Sequence, residues 1–169
     1  MSAQLEPTAT PWRRTMTVRD LDAVMAVEAS AYSFPWSRGN FIDSLAAGYL
    51  AEVLEHRAAG QPAELLGYFV AMPGVDELHL LNITVAPPWQ GQGHGQALLA
   101  AVLAHTRQRG LAALWLEVRL SNQRARTMYG RRGFAEVGVR RGYYPAAGPR
   151  EDAVVMKLPL TAEDPDAVD

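Results

Sequence analysis

Apolar residues recur with two different periods along this chain, and each change of period marks an element. Residues 14–18 alternate and predict a short strand. Leu21, Val24, Met25, Val27 and Ala31 then follow helical spacing, with Asp20 placed to cap the helix. Tyr32-Ser33-Phe34-Pro35-Trp36 breaks it, because a proline disfavours helical backbone at the residue before it. Ser37 is placed to cap a second short helix with Phe41 and Leu45 inward, stopped at Gly48. Residues 49–55 and 64–72 read as strands joined through Gly60-Gln61-Pro62, and 77–85 as a third strand rich in Leu, Ile and Val.

The second half is more regular. Pro87 and Pro88 end the third strand and a glycine-rich turn follows. Residues 95–109 predict a helix ending at Gly110, and 111–118 a strand. Ser121 or Asn122 caps a helix to about residue 132, with Gly133 as its stop, and 134–141 and 153–158 close the chain as strands. The predicted order is β-α-α-β-β-β-α-β-α-β-β, an α/β fold with a mixed sheet flanked by helices.

A length of 169 residues favours a single domain, here 12–160, with tails at 1–11 and 161–169. With no cysteine, a disulfide framework, a thiolate zinc site, an iron–sulfur cluster and a cysteine nucleophile are excluded. The first ten residues lack the apolar stretch of a secretory leader. The longest apolar helix-like run, 97–104, is far shorter than the roughly 20 residues that span a bilayer. A cytoplasmic protein without membrane contact is the expectation. The net charge of −2 is a sum of unlike parts: without the acidic tail there are 16 bases against 14 acids. Residues 119–150 hold eight arginines and one acid, and Lys157 is the only lysine in the chain. Those arginines suit a solvated surface, or a site for phosphates or carboxylates. No nucleic-acid motif accompanies them, so direct nucleic-acid binding is not expected.

The most informative stretch is Gln90-Gly91-Gln92-Gly93-His94-Gly95-Gln96, between a strand and a helix. Alternate glycines allow a tight turn that gathers backbone N–H groups, and the helix start adds partial positive charge. A phosphate or pyrophosphate is the natural guest, although an ordinary tight turn has the same spacing. A Rossmann fingerprint fails because Gln96 stands where its last glycine belongs, and no Walker lysine follows. His56, His79, His94 and His105 have no metal-ligand spacing, so no metal is expected.

The loop resembles the Q/R-x-x-G-x-G/A motif of the GCN5-related N-acetyltransferases, whose element order the prediction also shares. Further stretches narrow the resemblance: Phe34-Pro35-Trp36-Ser37, Leu81-Asn82-Ile83-Thr84-Val85, residues 114–119, Ser121-Asn122, Tyr129 with Gly133-Phe134, residues 141–145 and Glu151-Asp152-Ala153. Together they resemble the bacterial branch that acetylates the N-terminal alanine of a small-subunit ribosomal protein, and they run from about residue 15 to 160. The resemblance implies a central, mostly antiparallel mixed sheet and acetyl-CoA as co-substrate. It places the pyrophosphate on the amides of Gln90, Gly91, Gln92, Gly93, His94, Gly95 and Gln96. It places the acetyl and pantetheine part on the backbone of Ile83, Thr84 and Val85, with Asn122 also against the cofactor. Glu117 falls on the catalytic glutamate and Tyr129 on the catalytic acid. Phe34, Trp36, Arg119, Tyr143 and Tyr144 fall around a cleft for a protein N-terminus, in a monomer, although the aromatics suit a core equally well. Two departures stand out: Gly130-Arg131-Arg132 replaces a Glu that often follows the tyrosine, and the loop lacks an arginine that often accompanies the phosphates.

The residues themselves bear on these roles. Trp115, Glu117 and Arg119 share one face of their predicted strand, and Leu114, Leu116 and Val118 the other. A glutamate there is either a structural partner of Arg119 or another arginine, or a general base. An N-terminal amine is largely ammonium at neutral pH and must lose a proton before it attacks a thioester. Tyr129 is either a core aromatic, in line with Ala125, or a proton donor to the departing thiolate; ordinary pKa values make that transfer uphill by roughly 2 kcal/mol. Without a cysteine, direct attack in a ternary complex is expected. The alternatives are acetyl transfer to a lysine or small amine, or a CoA-binding module without activity.

Overall fold

A computed structural model describes residues 10–160; the predicted tails lie outside that span except at residues 10 and 11. Its elements are β1 (Trp12–Thr15), α1 (Leu21–Ala31), α2 (Arg38–Ala46), β2 (Leu50–His56), β3 (Glu64–Pro73), β4 (Glu77–Val85), α3 (His94–Gln108), β5 (Ala113–Arg119), α4 (Gln123–Arg131), β6 (Ala135–Tyr144) and β7 (Glu151–Pro159). This is the predicted order, and β4 keeps its predicted bounds. The strands form one seven-stranded sheet in the order β1-β2-β3-β4-β5-β7-β6, flanked by helices. β4 and β5 run parallel, whereas β1 with β2, β5 with β7, and β6 with β7 are antiparallel.

Contacts divide the chain into two units. One comprises residues up to Val70 together with Ile83–Leu98. Its core is apolar (Leu21, Val24, Phe41, Val53, Leu66, Phe69, Val70 and Leu98 are buried), but the buried stripe of α1 ends on an acid. Leu21, Val24 and Glu28 face inward, in place of the predicted Val27 and Ala31. Glu28 is tolerated there because it accepts hydrogen bonds from the Tyr68 hydroxyl and from the Trp36 N–H at 3.0 Å. Asp20 also departs from expectation. It stands at the N-cap position of α1 but its side chain bonds no N–H of that helix; its carboxylate takes the Arg14 guanidinium and the Thr17 N–H at 2.8 Å, and this turn ends β1 at Thr15. Ser37 does cap α2, accepting from the Asn40 N–H at 3.1 Å, although Ser44 is buried beside Phe41 where Leu45 was expected. Gly67 on β3 is pressed close, since a Cβ there would lie 2.4 Å from the Thr84 carbonyl oxygen.

The second unit comprises Ala71–Asn82 and the residues from Leu99 onward. β5 is its axis. Ladders pair it with β4 from Glu77 opposite Ala113 to Leu80 opposite Leu116, and with β7 over its whole length. Leu114, Leu116 and Val118 are buried, whereas Trp115, Glu117 and Arg119 are half-buried on the other face, as the alternation predicts. His79 lies opposite Trp115 and therefore on that same face. Asn122 caps α4 by accepting from the Ala125 N–H at 3.1 Å. The helix ends where Gly133 turns to φ +97° and the Phe134 N–H bonds to the Tyr129 carbonyl at 3.1 Å. Backbone bonds therefore hold the helix end at the Gly130-Arg131-Arg132 departure.

Candidate active site

In the first unit, β4 runs into the glycine turn and then α3. The Gln90 side chain ties the turn to the strand, donating to the Val85 carbonyl at 3.1 Å. Gly91 and Gly93 adopt φ of +75° and +86°, the left-handed region that only glycine enters freely, and a Cβ at either would meet nothing within 4 Å. The loop is thus bare backbone leading into a helix start, whose first N–H groups have no intrahelical partner. Gly93 caps that start by accepting from the Ala97 N–H at 3.1 Å. His94 is the first residue of α3, with its ring 6.5 Å from that of Trp89. This donor set suits a pyrophosphate in both charge and shape.

Nearby, the Tyr32 hydroxyl lies 2.7 Å from the Thr84 hydroxyl and 3.2 Å from the Ile83 carbonyl, to which it donates. Burial pushes the Tyr32 hydroxyl above the usual phenol range, and the Thr84 bond partly offsets this. Phe34 is exposed, whereas Trp36 packs on Phe41 at 5.1 Å and is fixed through its N–H by Glu28. Of the two predicted wall residues in this unit, one is exposed and one is packed on a core aromatic.

In the second unit, Glu117 is the centre of a polar cluster. Its side chain is 6% exposed, its Oε2 lies 2.5 Å from His79 Nε2, and its Oε1 lies 3.2 Å from Arg140 Nε. Arg140 is on β6. Arg140 sits opposite Ala153 on β7, a small residue between it and β5. Arg119 donates to Glu151 at 3.1 Å and to the Pro145 carbonyl at 3.0 Å, with its guanidinium 4.6 Å from the centre of the Tyr144 ring. Glu151 also takes the Ser121 N–H at 2.8 Å; the Ser121 hydroxyl first, then that N–H, and then Arg119 hold its carboxyl below the ordinary range against the opposing effect of burial. Tyr143 and Tyr144 lie edge to face at 4.9 Å. Burial pushes the Tyr144 hydroxyl well up, so it stays protonated across the neutral range. Arg150 steadies this hairpin by donating to the carbonyls of Gly142 and Tyr143, each at 2.7 Å.

Tyr129 is buried with its ring 5.5 Å from Phe134, the placement its alignment with Ala125 implies. His79 and Arg140 were not singled out in the sequence. The parallel pairing of β4 with β5 was the missing signal, since it alone puts His79 on the glutamate's face. Among the described residues, no group of three or more His, Asp or Glu side chains is placed to hold a metal ion. Nor, among them, is any helix long and apolar enough to cross a membrane.

Comparison with known proteins adds to this geometry. The chain is 38% identical over 147 residues to the ribosomal protein bS18-alanine N-acetyltransferase of Escherichia coli (strain K12), spanning 87% of this chain and 96% of that one. It is 33% identical over 147 residues to the protein of the same name from Haemophilus ducreyi, spanning 86% and 98%. The crystal structure of the ribosomal-protein-S18-alanine N-acetyltransferase from Escherichia coli superimposes with a TM-score of 0.80 at 36% identity, over 92% of this chain and 98% of that one. Residues 21–134, from the start of α1 to the turn after α4, match the acetyltransferase (GNAT) family model, and the chain belongs to that family.

Proposed function

We propose that the chain works as one acetyltransferase domain over residues 12–160, moving acetyl from acetyl-CoA to the N-terminal alanine of ribosomal protein bS18. The carrying observation is Glu117, a nearly buried carboxylate on a strand face otherwise lined by aromatic and cationic groups. Relatives whose names specify the bS18 alanine reaction point to the acceptor. Acetyl-CoA supplies an activated acetyl thioester. The loop residues Gln90 to Gln96 would hold its pyrophosphate through backbone amides, the donor set that bare glycines and a helix start provide. β4 continues from Leu81 to Val85 beyond its last residue paired with β5, and the backbone of Ile83, Thr84 and Val85 would receive an extended arm as a strand receives a neighbour. Asn122 lies at the start of α4, where it would border the same ligand.

Glu117 accepts a proton from the substrate ammonium, directly or through water, and so frees the amine lone pair for attack on the acetyl carbonyl carbon. As the carbon–sulfur bond breaks, Tyr129 donates its hydroxyl proton to the departing sulfur and regains one from the second proton that the nitrogen sheds as the amide forms. Phe34, Trp36, Tyr143 and Tyr144 would wall the acceptor peptide, and Arg119 would hold the last two in place through Tyr144 and Pro145. With no cysteine to carry an acetyl group, transfer is direct. The reading implies a monomer in the cytoplasm without contact to nucleic acid or membrane.

The test uses purified protein, labelled acetyl-CoA and peptides that begin with Ala, Ser or Met, or that carry only an internal lysine. Transfer to the bS18 peptide beginning with Ala should exceed the others. Transfer only to lysine would overturn the acceptor, and cofactor binding without transfer would leave a CoA-binding module. Glu117→Gln should lower kcat about 100-fold or more with acetyl-CoA affinity unchanged. Tyr129→Phe should lower turnover while the protein stays folded; normal turnover would return Tyr129 to the role of core aromatic.

A further inference from the structure

We propose that His79 is the positioning residue that receives the proton Glu117 draws from the substrate amine, so that carboxylate and imidazole act as one proton-holding pair. This rests on the reading of Glu117 as the base. At 2.5 Å, Nε2 of His79 and Oε2 of Glu117 cannot face one another with bare lone pairs, so a proton lies between them. A neutral His79 must then carry its hydrogen on Nε2, which leaves the Nδ1 lone pair as the vacant acceptor. Glu117 already has a donor on each oxygen, His79 on one and Arg140 on the other. Holding an extra proton as a carboxylic acid would disturb one of those contacts. Holding it on Nδ1 keeps both and turns the contact between imidazole and carboxylate into an ion pair.

Access favours the same route, since the His79 side chain is 22% exposed and that of Glu117 is 6%. The surrounding groups are few in kind. Arg140 of β6 touches the carboxylate, Lys157 of β7 lies over the Trp115 ring at 4.8 Å, and Glu77 precedes His79 on the same face of β4. Trp115, opposite His79 on β5, offers an indole N–H that has no partner among the described residues and cannot accept a proton. Imidazole takes a proton on one ring nitrogen while the other keeps its contact, and returns it to water the same way. The nitrogen sheds two protons in all: the pair takes the first and passes it from Nδ1 to bulk water after release of product, and the second, lost as the amide forms, makes up the one given to the departing sulfur.

The experiment measures kcat and KM from about pH 5.5 to 9.5 with acetyl-CoA and the Ala-initiated peptide, for the unaltered chain, His79→Gln, Glu117→Gln and the double variant. Glutamine keeps an N–H for Glu117 and removes the titrating ring. His79→Gln should lower kcat at least about tenfold near neutral pH, leave KM for acetyl-CoA unchanged, and lose most of its deficit above about pH 8.5, where the amine is already free. The double variant should be no slower than Glu117→Gln alone, as expected of groups acting together. A His79→Gln profile that superimposes on the original, or falls equally at every pH, overturns the proposal while a slow Glu117→Gln upholds the base. A fully active Glu117→Gln overturns the base itself. Nitrogen-15 spectra of the unaltered protein give an independent reading: His79 should show the Nε2–H tautomer when neutral, and an Nδ1–H tautomer would overturn the proposal.

Discussion

Glu28 and Glu117 are both carboxylates turned away from bulk water, yet their neighbours give them opposite work. Glu28 meets two neutral donors, a tyrosine hydroxyl and a backbone N–H, on either side of the segment that carries Phe34 and Trp36. Those two contacts tie α1 to β3 and to the backbone at Trp36, so Glu28 serves as a clamp. Glu28→Ala should cost about 1–3 kcal/mol for each donor left unpaired, read as a drop in denaturant midpoint, with a higher KM for peptide as Trp36 loosens. Glu117 meets an imidazole and a guanidinium, and its surroundings can change protonation during a reaction cycle. The alternation of β5 made Glu117 legible in the sequence, and the caps at Ser37 and Asn122 could be read from residue type and spacing. Glu28 could not be, because an acid on a helix stripe faces inward only when a distant donor such as Tyr68 meets it. The contact of Glu117 with Arg140 was hidden for a similar reason: it depends on which strand lies across β7.

Among the elements, β3 and β4 are the most constrained by backbone fit. A methyl at Gly67 would meet the Thr84 carbonyl at 2.4 Å and the Leu98 Cδ1 at 3.0 Å. Backbone atoms cannot move aside cheaply, so Gly67→Ala should destabilise by about 1–3 kcal/mol and weaken acetyl-CoA binding by displacing Thr84. Unchanged thermal stability would mean that β3 has slack the geometry does not suggest. Periodicity and turn chemistry made the order of elements readable, and β4 and α4 were the best defined because Pro87, Asn122 and Gly133 bound them sharply. Edges elsewhere moved by a few residues where tertiary partners decide. β1 stops at Thr15 because Arg14 and Thr17 are taken by Asp20, and β6 extends to Tyr144 because Arg150 and Asp152 bind its backbone at Gly142 and Tyr143. The pairing of β4 with β5 is a long-range choice that no local pattern encodes.

Across the whole molecule, titration should limit stability at both ends of the pH scale. Arg14 holds the Asp20 carboxyl below its ordinary value, with burial opposing. A group depressed on folding contributes stability above its unfolded value, about pH 4, and loses it as pH falls through the folded one. Burial pushes Tyr32, Tyr68 and Tyr144 upward, so they contribute below about pH 10 and that contribution is lost as pH rises further. Tm against pH should therefore fall on both sides, Asp20→Asn should flatten the acid side, and Tyr144→Phe the alkaline side. If those limbs keep their slopes, other groups govern them. Charge also has a chemical consequence at this scale. Fifteen of the sixteen basic residues are arginines, and the single lysine, Lys157, is half-buried with its ammonium over an indole face. A catalyst that moves acetyl groups onto amines thus offers almost no amine side chains of its own. Self-modification has one side-chain target, so peptide mass mapping after long incubation with acetyl-CoA, which separates Lys157 from any α-amine, reports on whether that shielded amine is ever reached.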